Sequence, residues 1–364
     1  MKRLVLAALL ASAAASCFAN PVFNFTFTAG TSAQAQQGFI DAAARWSALL
    51  KDNVTIDLTV GFNPLGPGIL GAAASAENFY SYTDFRTALA ADVTSGHDAQ
   101  AVAHLGAGST FDMLINRTSN HPVSPGNAAP YLDNNNNANN TTMSFTTAEA
   151  KALGLTVVGQ TVGGCTANCD GFIQFSSNFN FDFNPNDGIA ANAYDFVGVA
   201  AHEIGHTLGF ISGVDILDFN SPPNGGPFPD FEFTYVSGLD MFRYSAQSAA
   251  QGVIDWTADS RSKYFSLDGG ATVGPEFSTG VTFGDGRQAS HWKDGLNIGL
   301  MDPTAGQGEL LAITLNDQLA MDAIGWDLTT PVPEPSMLAM LALGLLMLGG
   351  HAAQRSTLFR KSTN

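Results

Sequence analysis

Basic side chains are scarce in this chain. Fifteen Lys and Arg stand against 32 Asp and Glu in 364 residues, a net charge of −17 at pH 7. The two ends hold five of the basic residues and one acidic residue, so the body between them has 10 against 31, a net charge of −21. Such a surface repels polyanions, which argues against nucleic acid or anionic lipid as a partner of the body. Cysteine is almost absent. Of three cysteines, Cys17 lies in the N-terminal leader, leaving Cys165 and Cys169. Two cysteines cannot complete a cysteine metal site, and their spacing suits a short-loop disulfide in an oxidising compartment. Histidine is sparse as well, with His97, His104, His121, His202, His206 and His291 in the body. Long apolar runs are confined to the two ends.

Those ends read as addresses. Lys2 and Arg3 precede an apolar run from Leu4 to Ala15 and a small residue, Ala19. This is the pattern of a secretory signal peptide, with cleavage expected near Ala19 and Ala15 as the alternative. Cys17 offers a minor lipoprotein reading, but Ala14 is not the bulky apolar residue such a site normally has. At the other end, Pro333-Glu334-Pro335 is followed by an apolar run from Ser336 to Ala353 and by Arg355, Arg360 and Lys361. Eighteen residues of helix span about 27 Å, roughly one hydrocarbon thickness. The basic tail would remain cytoplasmic. An ordinary C-terminal anchor explains the run. The order of Pro-Glu-Pro, apolar run and basic end also resembles the bacterial PEP-CTERM sorting signal. That resemblance implies a Gram-negative bacterium, processing by an exosortase-type membrane enzyme, transient inner-membrane anchoring, and a product at the cell surface or in the extracellular matrix.

The most informative stretch runs from Asp195 to Phe210 and contains His202-Glu203-Ile204-Gly205-His206. Histidines four apart on a helix share one face, roughly 6 Å apart, and can hold one metal ion. Glu203 lies about 100° round the helix, placed to act as a base on a metal-activated water rather than as a ligand. Phe196, Ala200, Ile204 and Leu208 form an apolar row on another face. Asp195 is the expected N-cap, and Gly209 the expected terminator. A buried helix with two structural histidines is the alternative. It would bury two imidazoles and a carboxylate without compensation.

Catalytic zinc requires a third protein ligand and an open position. The compact metzincin pattern puts that ligand at Ser212, a poor zinc donor. Asp215 comes three residues late, and Glu232 lies in a stretch, residues 231–235, that reads as a strand. His291 is the one body histidine downstream, within Ser290-His291-Trp292, and Leu300-Met301-Asp302 follows ten residues later. Here the chain is similar to the leishmanolysin-like branch of the metzincins, in which an insertion separates the helix glycine from the third histidine. The resemblance spans roughly residues 190–328, closing with the Ile324-Gly325-Trp326 helix end. It implies His291 as third ligand and Met301 as the methionine of the turn beneath the metal, a structural residue. The many-cysteine framework of eukaryotic leishmanolysins is lacking.

The rest of the chain reads as an α+β, zincin-like domain: a mixed twisted sheet, the active-site helix and a loop-rich lower part. Strands are expected at 24–28 and 54–60, with an amphipathic helix at 33–50 between them. Helices are expected at 83–94, 146–153 and 315–326, and short strands at 239–244 and 263–268. The segment 133–140 reads as a low-complexity polar loop. Residues 171–183 read as one or two strands, equally as plain sheet or as the edge that pairs with an extended peptide. Asp182, Asn184, Asn186 and Asp187 can be read as calcium ligands or as a polar turn. The expected organisation is a signal peptide (1–19), an upper subdomain ending in the active-site helix (20–210), a lower subdomain (211–329) and a sorting segment (330–364) with a transmembrane helix at 336–353. The function expected is that of an exported zinc metalloendopeptidase. Its ligands are His202, His206 and His291, its base is Glu203, and its substrate is protein or peptide. The alternatives are a catalytically degenerate matrix-binding protein on the same scaffold and a zinc hydrolase of non-peptide bonds.

Overall fold

A computed structural model describes residues 20–329, so the signal-peptide and sorting-segment expectations lie outside the described residues. The chain is mixed α+β, with small sheets and eight α-helices among the described residues. The order begins β1 (Val22–Phe27), α1 (Ala33–Ser47), β2 (Thr55–Asn63), β3 (Gly71–Ser75), β4 (Glu77–Ser81), α2 (Tyr82–Ala91) and α3 (Gly96–His104). It continues β5 (Met113–Ile115), β6 (Tyr131–Asp133), β7 (Thr142–Thr146), α4 (Thr147–Ala152), β8 (Gln160–Val162), β9 (Cys165–Cys169) and β10 (Gly171–Ser176). Then follow β11 (Phe181–Asp182), β12 (Tyr194–Asp195), α5 (Phe196–Thr207), α6 (Val214–Asn220), β13 (Arg243–Tyr244), α7 (Ala246–Ala249) and β14 (Ile254–Asp255). The last are β15 (Lys263–Phe265), β16 (Glu276–Phe277) and α8 (Leu315–Ala323). Among the described residues no helix is long and apolar enough to cross a membrane.

The largest sheet has the order β1-β2-β10-β3. The first three strands are parallel and β3 runs antiparallel to β10, so the sheet is mixed. Its core side buries Ile56, Leu58, Val60, Ile173 and Phe175. Helix α1 covers it with Phe39, Ala42, Ala43 and Trp46, the apolar stripe expected from 3.6-residue spacing. An aromatic cluster joins sheet to helices: Phe196 stacks on Phe62 and meets Phe39 edge-on at 5.0 Å. The Trp46 indole donates to the Ala201 carbonyl at 2.8 Å and locks α1 onto α5.

The core continues across position 210. Strand β14 pairs with β5, Met143 bridges Val236, and Leu50 bridges Leu328.

Several expectations need correction. Strand β10 lies between β2 and β3, so it is an interior strand and not the sheet edge. β3 is an edge strand, as β1 is on the other side, and its Ala72-Ala73-Ala74 run carries no alternation to announce a strand. The 239–244 segment starts as a 3-10 turn (Leu239–Phe242), because the Asp240 carboxylate accepts from the Gly213 and Ser237 backbone N–H groups and the Trp256 indole. Residues 230–232 are also 3-10, held by Asp230 accepting from Phe231 N–H, so Glu232 is not on a strand. Helix α1 stops at Ser47, and α8 stops at Ala323, before Gly325 at φ 104°. Cys165 and Cys169 are joined by a disulfide.

Candidate metal centre

Helix α5 starts on its expected cap. The Asp195 carboxylate accepts from Gly198 N–H at 2.8 Å, and its other oxygen takes Leu311 N–H at 3.1 Å. The apolar row of Phe196, Ala200, Ile204 and Leu208 is fully buried. The helix ends at Gly209, whose φ of 116° is strained for any residue with a side chain. The Trp326 indole donates to the Leu208 carbonyl at 2.7 Å, closing the helix end.

On the opposite face, His202 and His206 are half-buried, and a distant loop brings His291 against them. Each ring is held from behind. His202 Nδ1 meets the Leu300 carbonyl at 2.8 Å, His206 Nδ1 the Phe210 carbonyl at 2.7 Å, and His291 Nδ1 the Gln288 carbonyl at 3.3 Å. A carbonyl only accepts, so each Nδ1 carries the proton and each Nε2 is left with a lone pair. The Nε2 atoms of His202 and His291 lie 3.1 and 3.2 Å from that of His206. Acceptors at that range cannot bond one another. A cation held tetrahedrally at about 2.05 Å would separate its nitrogens by about 3.3 Å, so the donor set fits one metal ion. Burial lowers all three imidazole pKa values, His206 to about 3, which favours the neutral ligating form.

Two buried carboxylates position these histidines. Asp317, in the first turn of α8, accepts from Leu300 N–H (2.7 Å), Met301 N–H (3.2 Å) and the Trp292 indole (2.9 Å). It therefore fixes the turn whose Leu300 carbonyl orients His202. Asp215, on α6, accepts from Ala289 N–H (2.6 Å) and Ser290 N–H (3.1 Å), directly before His291. Burial pushes its carboxyl up to about 6. No spacing in the sequence marks either acceptor role. Met301 is buried below α5, and a Cβ added at Gly205 would come within 2.6 Å of its sulfur, so this helix–turn contact needs glycine. Ser212 donates to Asp240 at 2.6 Å and makes no part of the histidine group.

Glu203 is 6 % exposed and faces β3. A Cβ on Gly71 would lie 2.8 Å from its Oε1, so glycine there makes room for the carboxylate. Burial pushes Glu203 up to about 8, and a backbone hydrogen bond from Ala73 pulls the other way. A cleft of about 930 Å³ opens over Glu203 and the three histidines, walled by β3 on one side and by Tyr235 and the 286–291 segment on others. The remaining body histidines take no part; His121, for example, bonds the Ala129 carbonyl at 2.8 Å. The turn after β11 is the polar one. Asp182 accepts from Asn184 and Ala190 N–H groups, and its low pKa follows from those bonds. No protein-family model, curated protein or solved structure matches this chain.

Proposed function

We propose that this chain is an exported, zinc-dependent endopeptidase with a metzincin-like catalytic domain. The observation that carries the reading is the convergence of three unprotonated Nε2 atoms beside a buried glutamate, in a cleft walled by an edge strand. Zinc held by His202, His206 and His291 would supply a Lewis acid for the scissile carbonyl and would lower the pKa of the attacking water. Glu203 takes the proton of that water as its oxygen bonds to the carbonyl carbon, then returns the proton to the amine as the C–N bond breaks. The side of β3 away from β10 can take an extended peptide by backbone pairing, laying it across the cleft. Met301 packs and does not ligate. The terminal sequences support export to the surface of a Gram-negative cell after exosortase-type processing, and the acidic body speaks against nucleic-acid partners. Glu203→Ala should retain one zinc per chain and lose casein hydrolysis; undiminished cleavage sinks the mechanism. His291→Ala should lose most of the bound zinc.

A further inference from the structure

The segment from Asp133 to Asn140, Asp-Asn-Asn-Asn-Asn-Ala-Asn-Asn, is a polar loop with an exposed middle. It joins β6 to β7 through a 3-10 turn, and its ends are buried: Asp133 is 1 % exposed, Asn139 and Asn140 0 %. Both amides lean on Asp133. Asn139 Nδ2 donates to Asp133 Oδ2 at 2.8 Å, and Asn140 Nδ2 donates to the Asp133 carbonyl at 3.4 Å and to the Phe111 carbonyl at 3.1 Å. With the nitrogens spent this way, Asp133 Oδ1, Asn139 Oδ1 and Asn140 Oδ1 are buried without a well-formed hydrogen bond, the Asn135 backbone N–H making only a weak approach to the Asp133 carboxylate. Each such acceptor costs about 1–3 kcal/mol, more when charged. All three are oxygens, and all three sit around one aspartate. Asp230 sets a second carboxylate against the same segment, accepting from Asn135 Nδ2 and Asn137 Nδ2 at 3.1 Å each. Neither Asp133 nor Asp230 is in an ion pair among the described residues.

We propose that this segment is a calcium site, with Asp133 Oδ1 and the amide oxygens of Asn139 and Asn140 as its protein ligands. A cation satisfies several buried oxygens at once without a donor for each. An all-oxygen set of one carboxylate and neutral amides suits Ca²⁺, which takes 6–8 oxygens in adaptable geometry. Zn²⁺ prefers nitrogen and sulfur, and Mg²⁺ holds on to its water. A single ligating carboxylate sets a weak site, on the order of 10⁻⁴–10⁻³ M, the range of extracellular modules. The ion would clamp the β6–β7 connection, which the Asp230 turn already braces. The site is separate from the histidine cleft and does not depend on what that cleft does.

The test uses the zinc-loaded full chain. Millimolar CaCl2 should raise Tm where equal MgCl2 does not. Tb³⁺ should show tyrosine-sensitised luminescence that Ca²⁺ competes away, because Tyr131 bonds Asp230 beside the site. Asp133→Asn should weaken Ca²⁺ at least tenfold, and Asn139→Asp should tighten it several-fold. Asp322→Asn, in a separate acidic group, should leave the response intact. A wild-type chain with no calcium-specific Tm rise and no sensitised luminescence overturns the proposal, whatever the variants do. Unchanged Ca²⁺ affinity in Asp133→Asn, or its loss in Asp322→Asn, overturns it equally.

Discussion

Each histidine of the centre does two jobs, one per ring nitrogen. Nδ1 donates to a backbone carbonyl, which fixes the tautomer, and Nε2 faces the common point. His202, Glu203 and His206 were legible because helical spacing alone brings them together. His291 was legible only through the Ser-His-Trp resemblance, since 85 residues separate it from His206. Asp215 and Asp317 were not legible: a carboxylate that accepts backbone N–H groups leaves no pattern in a sequence. Asp215→Asn keeps the volume but turns an amide towards two N–H donors. It should weaken zinc about tenfold and cost about 1–3 kcal/mol of stability, because one buried N–H then faces an amide donor; a chromogenic chelator competition and denaturant unfolding check the two effects. Asp317→Ala orphans several donors and should cost about 3 kcal/mol or more, read by denaturant unfolding. Gly71→Ala pushes a methyl against Glu203 Oε1, so peptide hydrolysis should fall while zinc content stays at wild-type level.

Elements with strong periodicity appear where their sequence puts them: β1, α1, β2 and α5 follow their apolar spacing. Strand β3 does not, because an alanine run becomes a strand only through pairing with β10. The 3-10 turns at 230–232 and 239–242 replace expected strands where the Asp230 and Asp240 carboxylates take nearby backbone N–H groups. A further element-level feature lies where α3 meets α8. Asp98 from α3 and its N-cap Ser95, Asp322 from α8, Asp92 after α2, and Asp52 and Asp327 crowd together, with Lys51 as a nearby cation. Burial and then mutual repulsion push Asp52 and Asp322 to about 7 and Asp92 to about 8. A carboxyl raised above its unfolded value of 3.8 stabilises fully below that pH and loses this contribution as pH rises through about 7–8. Asp322→Asn removes one charge from the group. Its Tm relative to wild type should therefore climb between pH 5 and pH 8, with a gain on the order of 1–2 kcal/mol at pH 8. A constant difference across that range would contradict the assignment.

At the scale of the whole molecule, sequence reading reached the α+β class and the mixed sheet, whereas the pairings that tie distant segments together come from packing alone. Strand β14 joins β5 and Leu328 closes on Leu50, contacts for which no local signal exists. The histidine group is another such tie, since its members come from α5 and from a loop 85 residues later. Zinc removal should therefore lower the stability of the whole fold. A ligand at 100 times its Kd contributes about 2.7 kcal/mol, and a chelator-treated chain should melt correspondingly lower and recover on zinc addition. The most direct measurement of the central claim is zinc K-edge absorption on the purified wild-type chain, with His291→Ala beside it. One zinc with three imidazole nitrogens at about 2.0–2.1 Å and a light-atom donor is the predicted result, with the third imidazole lost in the variant. A spectrum with sulfur ligands, or one unchanged by His291→Ala, would contradict it.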